Sequence, residues 1–521
     1  MTRPTTPHPR PAAVAGGHAV DGPGAASSSG GAAAEVRETH SAVVLLCGDL
    51  AYKVKKPVDL GFLDFSTPER RRAACHRELL LNRRMTPDAY LEVLDVLDEL
   101  GHQRDSVLVM RRMPDECRLA TLVRRGVDVS SGMRRLAKQV ATFHATARTN
   151  GEIGAEGGPE ALGRRWQSNI AGLRELAPSR VTAEQVDEVE TLARAYIAGR
   201  VGLLEERVRD GRVRDGHGDL LADDVFLLPD GPRVLDCLDF DDHLRWMDVV
   251  DDVASLVMDL ERLGAPQVAE QLVRDYHEFS GAVEPASLSH HYVAYRAVMR
   301  AKIAAIRERA AAGAAAADAA TEAGLLVGLG LRHLRAGLPR LVLVGGAPAA
   351  GKTTVADRVV ERLQAAGLTA DRLRKELAGL DPREHHPEAF GEGLYSAAHT
   401  TAVYRALATK ARFMVGHGET VVVDASFATP GQRELFRAVA RELHTPVVEL
   451  ECVARPEELT SRLRSRELHP SRYSDADLAV GTRLAAERVA WAGATPIDTS
   501  GSVDESVDAA VRAVQAASVS G

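Results

Sequence analysis

Gly346-Ala347-Pro348-Ala349-Ala350-Gly351-Lys352-Thr353 is the stretch that decides the fold. It follows the apolar run Leu341–Val344 and opens onto Thr354–Ala366, a segment of helical character. Strand, glycine loop and helix, in that order, are what a phosphate cradle requires. Glycines let backbone amides turn inward, and the helix N-terminus adds positive potential. In such a loop Lys352 reaches the β- and γ-phosphates, the Thr353 hydroxyl holds Mg²⁺, and Thr354 carries the helix onward. A glycine turn with a surface lysine is the plainer alternative, but it leaves both flanks unexplained. Further on, apolar β runs at Thr420–Val423 and Val447–Leu450 alternate with helical segments, so a parallel α/β sheet is expected.

Moving outward, Asp371 lies 19 residues after Lys352, where the next strand of a βαβ unit would end. Ligands bind at the carboxyl ends of such strands. A carboxylate there can take a proton from an acceptor hydroxyl, and the adjacent Arg374 and Lys375 can hold an anionic substrate. On spacing alone, a helix-capping role for Asp371 is equally common. Val421-Val422-Val423-Asp424 reads as a strand end that brings Asp424 to the metal. Arg462, Arg464 and Arg466 recur on an expected helix, Pro456–Glu467. Arg462 and Arg466 share a face there, fit either for a lid over the transferring phosphate or for simple solvation.

Asp371-x-x-Arg374-Lys375, Asp424-Ala425-Ser426-Phe427, the Arg462/Arg466 pair and Ser474-Asp475-Ala476 resemble small P-loop kinases of the zeta-toxin, gluconate-kinase and polynucleotide-kinase type. The resemblance covers about residues 340–494. It implies that Asp371 orients or deprotonates an acceptor hydroxyl and that Lys352, Arg462 and Arg466 serve the transferred phosphoryl. The acceptor is not fixed by it.

A second constellation lies upstream. His217-Gly218-Asp219-Leu220 precedes the apolar run Val225–Leu228, and Val234-Leu235-Asp236-Cys237-Leu238-Asp239-Phe240 follows. One Asp in a loop and another at a strand end are what phosphoryl transfer needs, one facing the acceptor and one holding Mg²⁺. With Tyr52-Lys53-Val54, Glu78 in Cys75–Asn82, Met110–Met113 and Ala141-Thr142-Phe143-His144, these residues look like the aminoglycoside phosphotransferase-like kinase fold over about residues 36–306. The resemblance implies that Lys53 holds the α/β-phosphates (Lys55 being the alternative on the same face), with Glu78 as its ion-pair partner. It makes Asp219 the catalytic Asp and Asp239 the metal Asp, with Asp236 as the alternative. His144 is expected to be a buried structural histidine. One position departs from that fold: Asp224 stands where an Asn usually helps hold the metal. A carboxylate can bind Mg²⁺ but adds negative charge beside the phosphates. The fused order, and the stretch Lys53–Phe65, are similar to bacterial proteins that join this fold to a P-loop kinase.

The 521 residues therefore divide into a leader (1–35), a bilobal α+β kinase-like domain (36–308), an alanine-rich helical connector with little to pack against (309–339), and an α/β P-loop domain (340–521). Pro, Gly, Ala and Ser supply 23 of the first 34 residues, a composition expected to remain disordered. A net charge of −8 provides no global field for duplex DNA. Five scattered cysteines, no CxxC, and no metal spacing around pairs such as His385-His386 argue against disulfide or zinc frameworks and fit a cytoplasmic setting. No apolar run is expected to cross a membrane. The expectation is an ATP-dependent (or GTP-dependent) Mg²⁺ kinase with two nucleotide sites and a small hydroxylated acceptor. No protein partner is indicated, and a nucleic-acid acceptor is left open only for the C-terminal half. Two alternatives stand beside it: a regulatory nucleotide binder with one non-catalytic half, and a polynucleotide 5′-hydroxyl kinase in the C-terminal half.

Overall fold

Each strand below forms where the sequence places apolar and β-branched residues between turn formers, and the two sheets differ in how those residues are spaced. The computed structural model describes residues 35–39, 41–59, 61, 63–381, 393–468 and 489–517. The leader up to Ala34, His385-His386 and Ser474-Asp475-Ala476 lie outside the described residues, as do the side chains of Arg464 and Arg466.

The chain packs as two units. Unit 1 comprises Met1–Val186, Glu206–Glu284 and Tyr292–Arg332; unit 2 comprises Asp187–Glu205, Pro285–His291 and His333–Gly521. The last cut falls inside the helix Gly313–Ala336, within the segment expected to be a connector.

Unit 1 opens with an antiparallel sheet of β1 (Glu35–Glu38), β2 (Ala42–Cys47), β3 (Leu50–Lys55), β4 (Tyr90–Leu97) and β5 (Gln103–Arg111), in the order β1-β2-β3-β5-β4. Gly48, at φ +59, lies in the β2–β3 turn. Helix Pro68–Asn82 starts at Thr67, whose hydroxyl accepts from the Arg70 amide, with proline in the first turn. Its Cys75 and Leu79 pack with Tyr90 and Leu108 of the sheet and with Phe226. The remainder is helical, interrupted by the short pairs β6 (Val213–Asp215) with β9 (Trp246–Asp248) and β7 (Val225–Leu228) with β8 (Gly231–Val234). This is an α+β arrangement, a five-stranded sheet with one helix followed by a helical part.

The glycine-rich stretch Asn150–Gly158, which by composition reads as a loop, contains a short helix, Gly151–Ala155: the Asn150 side chain accepts from the Ile153 amide, and Ile153 is buried beside Val213 and Trp246. The alanine-rich helix is also not idle, because Ala319, Ala320, Ala323, Leu326 and Val327 are all buried. By length and composition this helix would suffice to cross a membrane, although 44% of its most apolar 18-residue stretch is buried inside the protein. Its small residues let neighbouring backbone approach: a Cβ on Gly324 would stand 3.0 Å from the Arg180 carbonyl oxygen.

Unit 2 contains a parallel sheet of β10 (Leu341–Gly346), β11 (Ala366–Thr369), β12 (Val421–Asp424), β13 (Val447–Val453) and β14 (Thr495–Asp498), in the order β11-β12-β10-β13-β14. Its strands read as continuous apolar runs because both faces are covered. Leu341, Leu343, Val421 and Val423 pack with Leu407 and Phe436 on one face, while Val342, Val344, Val422 and Leu450 pack with Val355, Val359 and Val514 on the other. Unit 2 also draws on the helical region: Arg200, fully buried, donates to the Leu443 carbonyl at 2.8 Å and the Thr445 hydroxyl at 2.7 Å.

Candidate functional site

The loop between β10 and helix Lys352–Leu363 has the backbone of a phosphate cradle. Gly346 (φ +147) and Gly351 (φ +83) occupy conformations that L side chains rarely adopt, and a Cβ on Gly346 would lie 2.5 Å from the Cys452 carbonyl oxygen. Ala349, at φ +65, also turns through the left-handed region. The cradle is braced from behind, where the Thr499 hydroxyl donates to the Ala350 carbonyl at 2.9 Å.

Register brings the chemistry to the loop. Val344 of β10 and Thr369 of β11 both pair with Asp424 of β12, so β11 and β12 end level with each other, two residues before β10 ends at Gly346. There the Thr353 hydroxyl donates to Asp424 at 2.7 Å, and the Lys352 ammonium donates to the Ala347 carbonyl at 2.9 Å. Burial pushes the Asp424 carboxyl up to about 6, against the pull of Lys352 and the Thr353 hydroxyl. A hydroxyl beside a buried carboxylate is the donor set of a hard cation, and amides with an ammonium suit a triphosphate. The residues therefore fit Mg²⁺ and nucleotide.

Asp371 sits in the first turn of helix Ala370–Leu377, whose cap position is Thr369, so Asp371 is not the capping residue. It lines a cavity of about 750 Å³ together with Pro348, Ala349, Gly351, Lys352, Thr353 and Asp424. Arg374, Arg405, Tyr404 and Ser426 line the same space. Arg462 is placed elsewhere. It donates to the Thr499 carbonyl at 2.6 Å and lines a separate cavity of about 360 Å³ with Gly351, Thr354 and Ser506. Arg462 thus reaches the loop through its brace, Thr499, and is absent from the lining of the Asp371 cavity. The side chain of Arg466 lies outside the described part.

Unit 1 assembles a second cluster. Glu78, buried at 1% exposure, takes Lys53 at 2.7 Å and Lys55 at 2.6 Å, so both candidate lysines share it. Lys53 continues to Asp236 at 3.2 Å and Lys55 to Asp239 at 3.1 Å, an ionic chain of five side chains. Burial would raise the Glu78 carboxyl, but the two ammonium groups outweigh it and hold it at about 2. Asp224 is pushed well above the usual carboxylate range by burial and by Asp236, Asp219 and Asp223. The carboxylates that act on Asp224 thus include Asp236, the alternative, while Asp239 answers to Lys55.

The loop carrying Asp219 is held rigidly. Asp252 accepts from the amides of His217 at 2.6 Å and Gly218 at 3.0 Å and is fixed by His144 at 3.1 Å, whose other ring nitrogen meets the Tyr276 hydroxyl at 2.9 Å. His144 is buried and structural, as its sequence setting suggested. Asp219 keeps one buried oxygen without a hydrogen-bond partner and has Arg300 at 3.5 Å from the other. Sequence reading missed Arg300, Arg405 and Thr499, because each reaches its site through the fold and none belongs to a local motif.

The cradle, its register and its parallel sheet define unit 2 as a P-loop domain, and a family model described as an AAA domain (AAA_33) matches residues 341–489. The whole chain belongs to the family of the mycobacterial protein Rv2004c. It is 39% identical to the uncharacterized protein Rv2004c of Mycobacterium tuberculosis over 473 residues, 91% of this chain and 94% of that one. Among solved structures, a choline/ethanolamine kinase family protein from Mesorhizobium loti is 14% identical and covers 58% of this chain and 92% of its own, with a TM-score of 0.34. The Mycobacterium tuberculosis APS kinase CysC in complex with AMPPNP and APS is 18% identical over 34% of this chain and 98% of its own, with a TM-score of 0.26.

Proposed function

We propose that the protein is an ATP-dependent phosphotransferase whose working centre is the P-loop cavity of unit 2, acting on a small hydroxylated compound. The observation that carries this reading is the convergence of Lys352, Thr353, Asp424 and Asp371 on one cavity beside a cradle that only glycine can form at Gly346. The loop amides and Lys352 would hold ATP or GTP, and Thr353 with Asp424 would hold Mg²⁺. Nucleotide and metal together supply the phosphoryl group and the neutralisation of its charge. Lys352 fixes the phosphates and Thr353 orients the Asp424 carboxylate. Asp371 accepts the proton of the acceptor hydroxyl. Arg462, through Thr499, steadies the loop.

In unit 1 the same reading assigns Lys53, with Glu78 behind it, to a second nucleotide, Asp224 with Asp239 or the alternative Asp236 to its metal, and Asp219 to an acceptor. A regulatory reading, in which unit 1 binds nucleotide without turnover, draws support from the crowding of Asp219, Asp224 and Asp236, which opposes the approach of phosphates.

The test uses the full chain with labelled ATP and a panel of hydroxylated metabolites and 5′-hydroxyl oligonucleotides. Asp371→Asn should bind nucleotide as the wild type does and lower transfer by roughly 10²- to 10⁴-fold, the usual contribution of a positioned base. Full transfer by this variant removes Asp371 from the chemistry. Wild-type protein that binds no nucleotide removes the whole reading.

A further inference from the structure

We infer that the acceptor of the unit 2 site carries an anionic group, a carboxylate or a phosphate, and that Arg374 and Arg405 receive it. This rests on the phosphotransferase reading of that site and narrows it to small hydroxylated anions.

The charges lining the cavity are unequally occupied. Asp424 is engaged by Thr353, and the Lys352 ammonium bends to its own loop. Arg374 is buried at 8% exposure. One of its terminal nitrogens donates to the Leu394 carbonyl at 2.9 Å and the Thr400 hydroxyl at 3.3 Å, and its guanidinium lies over the Tyr395 ring at 4.8 Å. Its Nε is buried without a hydrogen-bond partner. A buried donor left unmade is costly, and a guanidinium of the cavity lining that is held by one terminal nitrogen has donors to spare for an oxyanion. Among the described residues neither Arg374 nor Asp371 has an ion-pair partner, although they stand three residues apart on one helix. The cation is therefore not consumed by the base.

Arg405 adds a second positive group. It lies four residues after Thr401 on helix Ala397–Gly416, so both share a face, and both line the cavity. Its guanidinium is exposed and makes no ion pair among the described residues. The hydroxyls of Thr400, Thr401 and Ser426 line the same space and suit an acceptor with several hydroxyl groups. A cavity of about 750 Å³ is of small-molecule size.

The experiment is calorimetric titration of the full chain, loaded with Mg²⁺ and ADP, with four probes: an aldonate, a hexose monophosphate, an uncharged hexitol and a 5′-hydroxyl oligonucleotide. The aldonate or the hexose monophosphate should bind and the hexitol should not; which anion binds distinguishes carboxylate from phosphate. Arg405→Gln, at an exposed position that folding does not require, should weaken the anion by roughly tenfold or more and leave ADP affinity unchanged. Arg374→Gln should weaken it further, and its melting transition checks that it folds. The inference is overturned if the hexitol or the oligonucleotide binds more tightly than either anion, if none of the four binds, or if Arg405→Gln binds the anion normally. ADP binding by the wild type keeps the P-loop reading standing in each of these cases, whereas failure to bind ADP defeats that reading first.

Discussion

The two units handle charge in opposite ways. Unit 2 offers phosphate a backbone: a loop turned by Gly346 and Gly351, one lysine, and a single buried carboxylate already engaged by Thr353. Unit 1 offers side chains, with Lys53 and Lys55 divided among Glu78, Asp236 and Asp239 while Asp219 and Asp224 crowd nearby. Backbone amides cost nothing in self-repulsion, so a cradle made of them is ready before ligand arrives. A cluster of carboxylates is at ease only when a cation joins it.

The strongest attack on this contrast is Lys352→Ala. If unit 2 carries turnover, removing its one loop cation from the full chain should lower ATP consumption by about 10²- to 10³-fold, the scale of losing one electrostatic contact to a transferring group. The melting profile should hardly move, because the ammonium's hydrogen bond to the Ala347 carbonyl lies within its own loop. If consumption is unchanged, unit 1 is the working centre and the ranking of the two sites reverses.

Next in size is Glu78→Gln. The substitution removes the charge that two buried ammonium groups share, and breaking such a pair typically costs about 3 kcal/mol or more. Denaturant unfolding of the full chain, followed by a probe in unit 1, should show that loss while unit 2 still binds nucleotide. The pH dependence has a definite sign. Glu78 titrates at about 2 in the folded protein, below its ordinary 4.5, so its contribution is complete above the ordinary range and fades as pH falls from there through about 2. Wild-type unit 1 should lose stability across that acid window, and Glu78→Gln should lose less. Equal acid sensitivity in both proteins would show that the ionic chain does not hold unit 1 together.

The same contrast explains what the sequence disclosed. The unit 2 cradle is eight consecutive residues between a strand and a helix, so local spacing sufficed, and Asp424 and Asp371 followed from where parallel strands end. The unit 1 cluster comes from four distant segments, and its details were less legible. The resemblance points to Asp239, with Asp236 as the alternative, but β8 ends at Val234 and the backbone turns through φ +61 at Asp236. The lysines divide between the two, Lys53 to Asp236 and Lys55 to Asp239. Arg300 is 81 residues from Asp219 and lies inside a long helix with no motif around it, so only the folded chain joins them. The short helix after Asn150 was hidden by its own glycines, which signal a loop unless the cap and the burial of Ile153 are known.

The finest test of the contrast is Asp224→Asn, made in a Lys352→Ala background so that unit 2 is silent. In the folded protein Asp224 holds its proton more tightly than an ordinary aspartate, through burial and the neighbouring Asp236, Asp219 and Asp223. Such a group costs stability as pH rises through and above the ordinary aspartate range, because the unfolded chain releases the proton first. Without divalent cation at neutral pH, the asparagine variant should therefore be the more stable protein, by about 1 kcal/mol, an ordinary effect for one substitution. With Mg²⁺ the advantage should shrink, since a cation offsets the repulsion in the wild type and the amide oxygen remains a ligand with one charge fewer. Nucleotide affinity measured across a series of Mg²⁺ and Mn²⁺ concentrations should accordingly rise steeply with metal in the parent and more gently in Asp224→Asn. If the two curves coincide, the carboxylates of unit 1 do not meet at a metal, and its cluster is a structural ion network with no claim on phosphate.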